Sequence, residues 1–135
     1  MKIIYEPGRV EIPVCIWMFD TEIERLYFLD TGHKWHAVSG PWGKGSLPTG
    51  QYKVCPAVRI DLKHEDYAER YKGWTDKKGF AWFADLEPAF ECERSGFEIH
   101  PDGNVPGTKG CIGLKHEDTT DVFELLQTPG VLMVV

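Results

Sequence analysis

The sequence predicts a mainly β protein of one domain, a β-sandwich or barrel-like sheet with one or two short helices, and three observations lead there. Its 135 residues fit one core, since single domains usually run to about 100–200 residues. Branched and aromatic runs of strand length recur along the chain, punctuated by Gly, Pro and Asp. Only two stretches carry a helical pattern. Hydrophobic residues make up 42% of the chain, with five Trp, five Tyr and seven Phe, which is ample for a packed core and unlike a disordered chain.

In chain order, Val10 to Phe19, Arg25 to Leu29 and Trp35 to Ser39 read as strands, separated by Asp20-Thr21 and Asp30-Thr31-Gly32 and ended by Ser39-Gly40-Pro41. Gly40 to Gly50 is rich in loop residues. Gln51 to Val54 is the next strand. His64 to Tyr71 is charged, pairs Tyr67 with Tyr71 four apart, and reads as a helix closed by Gly73. Tyr71 to Lys78 is a second loop-rich stretch. Phe80 to Ala84 and Gly96 to His100 continue the strand pattern. Asp118 or Thr119 to Gln127 reads as a helix with apolar Val122, Leu125 and Leu126, stopped by Pro129-Gly130, and Val131 to Val135 is a final strand. Leu-Lys-His-Glu-Asp occurs at both 62–66 and 114–118 without a repeat around it. No linker divides the chain, so residues 1–135 are expected to form a single domain.

Charge and composition exclude some functions. The net charge of −6 argues against a general nucleic-acid binder, which needs a basic surface to neutralise phosphates. No segment approaches the roughly 18 apolar residues of a membrane span. The start, Met1 to Gly8, lacks the apolar stretch and cleavage site of a secretory signal, which predicts synthesis in the cytoplasm without a signal peptide. Cys15, Cys55, Cys92 and Cys111 are then expected as thiols, Cys15 and Cys55 as small buried hydrophobes.

The stretch from Gly96 to Leu114 carries the chemistry. An apolar strand pattern ends at His100, a loop with three glycines and two prolines follows, and an apolar segment resumes at Cys111. A strand end and a return of this kind can bring an imidazole beside a thiol. Nucleophilic catalysis needs that contact, because a free thiol with a pKa of about 8.5 is only a few per cent ionised at neutral pH. The imidazole takes the thiol proton and later gives it to the leaving amine. Lys109 would favour the thiolate if it points inward. Gly110 lets a carbonyl approach backbone N–H groups that can hold an oxyanion. Thr108 either bonds within the turn or contacts substrate.

These residues resemble a known family. Thr108-Lys109-Gly110-Cys111-Ile112 is similar to the Ser/Thr-x-Gly-Cys-hydrophobic signature of the L,D-transpeptidase (YkuD-type) catalytic domain, and Ile99-His100 to its upstream Ile-His. Leu47-Pro48-Thr49-Gly50-Gln51-Tyr52-Lys53-Val54 resembles its Thr-Pro-Thr-Gly-x-aromatic-x-Val segment, and Val38-Ser39-Gly40 its Val-Ser-x-Gly. The resemblance covers about the middle and C-terminal two-thirds of the chain. It implies an L,D-transpeptidase-like fold and a cysteine enzyme acting on peptidoglycan stem peptides, with no metal or organic cofactor. Cys111 would form a thioester at the carbonyl before a D-amino acid. His100 would be the base, its other ring nitrogen held by the Pro101 carbonyl, and the N–H groups of Gly110 and Cys111 would form the oxyanion hole. Transfer to an amine gives cross-linking or exchange; transfer to water gives a carboxypeptidase or endopeptidase.

Two departures leave the acceptor open. The family's Arg two residues after the Cys is Gly113 here, and the loop from His100 to Cys111 is shorter than usual. The variant motif and compact chain resemble phage lysis proteins and L,D-transpeptidase-like toxins delivered by contact-dependent secretion. Such a protein would act in the periplasm or cell wall after export or release.

Other readings compete. Cys111 and His100 also fit a buried thiol and a surface-loop histidine. Cys92, His100, Cys111 and His116 are potential zinc ligands without the paired short spacing of most structural sites. His33 and His36 lie three apart on a strand and so face opposite ways. Asp102 either orients His100 or belongs to a Pro101–Asn104 turn. Trp42 and Trp74, in the loop-rich stretches, either line a substrate groove or anchor their loops. A β-rich binding module without chemistry is the third class.

Overall fold

The structure is a computed structural model and describes residues 2–4, 12–43, 45–64, 66–103, 108 and 110–135, with main chain alone at 2–4, 12 and 13. The expected strand start at Val10 and the end of the Pro101–Asn104 turn lie outside the described residues.

Eight strands close into a barrel. They are β2 (Ile12–Asp20), β3 (Arg25–Phe28), β4 (His33–Val38), β5 (Gly50–Val54), β7 (Trp82–Pro88), β8 (Phe97–Pro101), β9 (Ile112–Leu114) and β10 (Gly130–Val134). Around the barrel the order is β2-β10-β5-β7-β8-β9-β4-β3, and β3 pairs with β2 to complete the ring. Two short strands lie off the ring: β1 (Lys2–Ile4) pairs with β2, and β6 (Val58–Arg59) with β7. Most neighbours are antiparallel, but β2–β10 and β8–β9 run parallel.

Alternation places the core. Along β7, Trp82, Ala84 and Leu86 point inward while Phe83, Asp85 and Glu87 do not, the period of two that a one-sided strand requires. Leu26 and Phe28, Trp35 and Ala37, Tyr52 and Val54, Phe97 and Ile99, Ile112 and Leu114, and Leu132 and Val134 fill the interior in the same way. Burying each large apolar side chain contributes roughly 1.5–3 kcal/mol.

The helices are shorter than the sequence pattern predicts. Helix α1 spans only Tyr67–Arg70, followed by a 3-10 turn at Lys72–Trp74. Asp66 at its start has φ +70°, outside helical geometry, and α1 buries no residue, so packing does not extend it. Helix α2 (Thr120–Leu125) is tied down by buried Val122 and Leu126, with Phe123 edge-on to Phe80 and Trp82. No helix among the described residues is long and apolar enough to cross a membrane.

A buried knot links α2 to the loop before β7. Asp76 accepts the N–H groups of Lys78 and Phe80 on one oxygen, and the N–H and hydroxyl of Thr119 on the other. Thr119 in turn accepts the Trp82 indole N–H at 2.8 Å. This knot draws Phe80 into the turn, so β7 begins at Trp82 rather than at the expected Phe80 and runs on to Pro88.

Candidate active site

Strands β8 and β9 bring the His and the Cys to one face of the barrel wall. Their parallel register pairs Ile99 with Ile112 and His100 with Gly113. Continued by one pair, it sets Glu98 opposite Cys111. Because Ile99 and Ile112 point into the core, Glu98, His100 and Cys111 share the outer face. With strands about 4.8 Å apart and a rise of about 3.3 Å per residue, the Cα atoms of residues 100 and 111 lie about 8 Å from each other.

His100 is held by two contacts. Its Nδ1 donates to the Pro101 carbonyl at 2.7 Å, as the family resemblance implied. A carbonyl only accepts, so Nδ1 carries the proton and Nε2 is left as the basic nitrogen. Trp74 stacks on the imidazole, with centroids 4.7 Å apart and planes 12° from parallel. The ring is 5% exposed although it faces outward. That burial lowers its pKa, against opposing pulls from the Pro101 carbonyl and the Asp102 charge, and keeps it neutral near pH 7. Asp102 does not hold the ring; its buried carboxylate accepts from Lys115 Nζ at 3.0 Å.

The thiol rests differently from the sequence expectation. Cys111 Sγ donates to the Gly96 carbonyl at 3.7 Å, toward the start of β8, whereas His100 lies toward its end. Burial pushes the thiol up to about 11, and the Glu98 charge adds to the rise. The Glu98 backbone and the Arg94 guanidinium pull the other way. Cys111 is therefore a neutral thiol at rest, not a preformed thiolate. Glu98 faces Asp85 across the β7–β8 ladder, and burial together with that second carboxylate raises it to about 7.

Thr108 is a fastener rather than an exposed contact. It is 5% exposed; its hydroxyl donates to the Cys111 carbonyl at 2.6 Å and accepts N–H groups from Gly40 at 3.1 Å and Gly110 at 3.2 Å. Main-chain bonds also join Thr108 to Gly40 and Trp42, so the Val38-Ser39-Gly40 segment lies against the Cys motif. Gly110 is glycine for two reasons. Its φ is +123°, and the space a Cβ would need is taken by Arg94 Nη2. At Gly113, a Cβ would meet Asp102 Cβ at 2.8 Å and Thr108 Cγ2 at 2.9 Å, so this backbone has no room for the arginine the family carries there.

Sequence reasoning missed Arg94. Its Nη1 donates to the Ser46 carbonyl at 3.1 Å and Nη2 to Gly45 at 3.4 Å, with the guanidinium over the Phe97 ring. A cleft of about 440 Å³ opens here, lined by Gly43, Glu93, Arg94, Gly96, Gly110 and Cys111 among others. Trp74 contacts the imidazole, while Trp42 is 51% exposed beside the Thr108 segment. Lys109 lies outside the described residues.

No three metal-ligating side chains converge among the described residues. His33 and His36 are both exposed, bonded to Thr31 and Glu24 respectively. All four cysteines are free thiols.

Neither a family model nor a curated protein matches this sequence. Among solved structures, the chain is similar to L,D-transpeptidase 1 of Mycobacterium tuberculosis, with a TM-score of 0.52 and 16% identity over 90% of this chain and 59% of the other. An L,D-transpeptidase from Mycobacterium smegmatis gives 0.50 and 14%, covering 90% and 58%. One from Stackebrandtia nassauensis gives 0.52 and 18%, covering 91% and 56%. The chain spans less than two-thirds of the length of these structures. What the barrel and these likenesses establish together is that the chain has the L,D-transpeptidase fold.

Proposed function

We propose that this protein is a peptidoglycan-processing cysteine enzyme in which Cys111 is the nucleophile and His100 the general base. The observation that carries the reading is the placement of both on one outer face of adjacent parallel strands, with His100 Nδ1 fixed on Pro101 so that Nε2 is the free base.

The chemistry begins from a neutral pair. Rotation about the Cys111 Cα–Cβ bond to another staggered well turns Sγ from Gly96 toward His100. Nε2 takes the thiol proton as sulfur attacks the stem-peptide carbonyl before a D-amino acid. Coupling the two events matters, because transfer from a thiol near 11 to a lowered imidazole is strongly uphill alone. The oxyanion is held by the Cys111 N–H and the Gly110 N–H, whose 3.2 Å bond to Thr108 is long enough to be shared. As the tetrahedral adduct collapses, the C–N bond breaks and Nε2–H gives its proton to the leaving amine. A thioester remains. An amine or water, deprotonated by Nε2, then attacks it and releases the thiol. Gly113, in place of a family arginine, leaves both acceptors open, so L,D-carboxypeptidase, endopeptidase and D-amino-acid exchange belong to the same reading. Peptidoglycan lies outside the cytoplasm, so the protein must reach it by export or release.

Mass spectrometry of purified muropeptides incubated with wild type, Cys111→Ala and His100→Ala tests this. The wild type should change stem-peptide masses through a Cys111-linked acyl adduct, and both variants should be inactive while still folded. A Cys111→Ala protein that retains turnover refutes it.

A further inference from the structure

Both contacts that orient His100 are anchored on either side of one residue, Asp102. The Pro101 carbonyl accepts the ring Nδ1–H, and Trp74 stacks on the ring face. The Asp102 N–H donates to the Leu114 carbonyl at 2.9 Å, so the Pro101–Asp102 peptide is held by its N–H while its oxygen holds the ring. A carbonyl whose own peptide N–H is engaged in this way is a stronger acceptor. The next N–H, that of Gly103, donates to Gly73 at 2.9 Å, in the turn that carries Trp74. Where Asp102 sits therefore decides where both contacts fall.

The Asp102 side chain is itself fastened to the neighbouring strand. Continued by one pair beyond Pro101 and Leu114, the β8–β9 register sets Asp102 opposite Lys115, on the outer face that carries His100. Lys115 Nζ meets the carboxylate at 3.0 Å, with the Asp102 side chain 2% exposed and that of Lys115 25%. Lys115 stands on firm backbone, since its N–H donates to the His36 carbonyl of β4 at 3.0 Å. Gly113 makes the room: Asp102 Cβ and Cγ lie 2.8 and 3.2 Å from where a Cβ at 113 would be. An ion pair this sheltered adds little net stability once desolvation is counted. What it supplies is a single geometry, because moving either charge exposes the desolvation cost of the other.

We propose that Asp102 and Lys115 are positioning residues for His100: their ion pair clamps the Pro101–Asp102 peptide, so that the imidazole carries its proton on Nδ1 and leaves Nε2 bare. The use of Nε2 as a base rests on the reading above; the clamp itself does not. An imidazole protonated on the wrong nitrogen loses that use.

The test reads the His100 tautomer from 15N spectra of the histidine rings at pH 7.5, where protonated and bare ring nitrogens differ in shift. The His100 signals are identified by their loss in His100→Gln. In the wild type the Nδ1–H form should be in excess. A wild-type ring protonated on Nε2 overturns the proposal, and this measurement needs no variant to fold. Lys115→Met keeps the alkyl stem and removes the charge, and should lower the Nδ1–H to Nε2–H ratio roughly fivefold, about the worth of one hydrogen bond. Asp102→Asn, which keeps the shape, should lower it in the same direction. Lys115→Arg, which still reaches a carboxylate, should keep the ratio within about twofold of wild type. A ratio unchanged in Lys115→Met and Asp102→Asn, even with a lowered urea midpoint, means a merely structural pair and overturns the proposal. On muropeptides, Lys115→Met should lower kcat roughly threefold or more with KM unchanged, as misalignment of a base requires. A ratio that falls as expected in a protein that turns over no stem peptide upholds the clamp and sinks the peptidoglycan reading alone.

Discussion

Raising the pH over the folded protein probes the resting state of Cys111 directly. The thiol is pushed up to about 11 from an ordinary value of 9.0. At pH 7.5 about a hundredfold fewer thiolates are present than for an unperturbed cysteine. A more basic thiolate is also more nucleophilic; with a Brønsted slope of about 0.4–0.5, two pH units recover roughly eightfold. Iodoacetamide should therefore alkylate Cys111 about tenfold more slowly in the native protein at pH 7.5 than in the urea-unfolded chain. The rate should climb tenfold per pH unit through pH 10 without levelling. Quenched time courses resolved by peptide mass spectrometry give the rate constants. A plateau reached by pH 8, or a native rate above the unfolded one, would mean a preformed thiolate–imidazolium pair and would refute burial as the dominant influence on the sulfur.

Three further outcomes follow from the geometry. His100 has a folded-state pKa below its unfolded value, so its contribution to stability is present above about pH 6.5 and is lost as the pH falls below that value. His100→Gln should accordingly lose more stability relative to wild type at pH 7.5 than at pH 5 in urea titrations; Glu98, which trends oppositely as it titrates near 7, is common to both proteins and cancels. Asp76→Ala removes four hydrogen bonds to a buried carboxylate and strands the Thr119 donors, which should cost about 3 kcal/mol by equilibrium unfolding and loosen the loop carrying Trp74. Gly113→Ala forces Asp102 or Thr108 to move and should destabilise by about 1–3 kcal/mol, read as a lowered urea midpoint. An unchanged midpoint would show that the Thr108 fastening gives way freely.

The sequence exposed what depends on local pattern. Alternation located seven of the eight ring strands, and the Gly96–His100 run with its return at Cys111 marked β8 and the start of β9. It did not expose β9 as a strand in its own right, because three residues, Ile112 to Leu114, are too few to establish a period. The His64–Tyr71 helix shrank to four residues because its charged face found nothing to bury against. At the site, Cys111 and His100 stood out by residue type and motif. Arg94 did not, because its meaning comes from Gly45 and Ser46, nearly fifty residues away, and from the glycine it presses on. Trp74 over His100 is equally nonlocal: a loop residue became a wall of the site through its packing on Phe83 and the hydrogen bond from Gly103 to Gly73 beside it.

The parallel ladder between β8 and β9 has a consequence for variation in this fold. The spacing between the main chain at His100 and at Cys111 is fixed by hydrogen bonds along two neighbouring strands, so the connecting segment need only leave the sheet at Asp102 and return by Thr108. Insertions or deletions between those anchors can alter what surrounds the outer face without changing the main-chain separation of His100 and Cys111. A connection of any length that keeps both anchors is thus compatible with the same strand register, and the segment can be exchanged while positions 100 and 111 stay on one face.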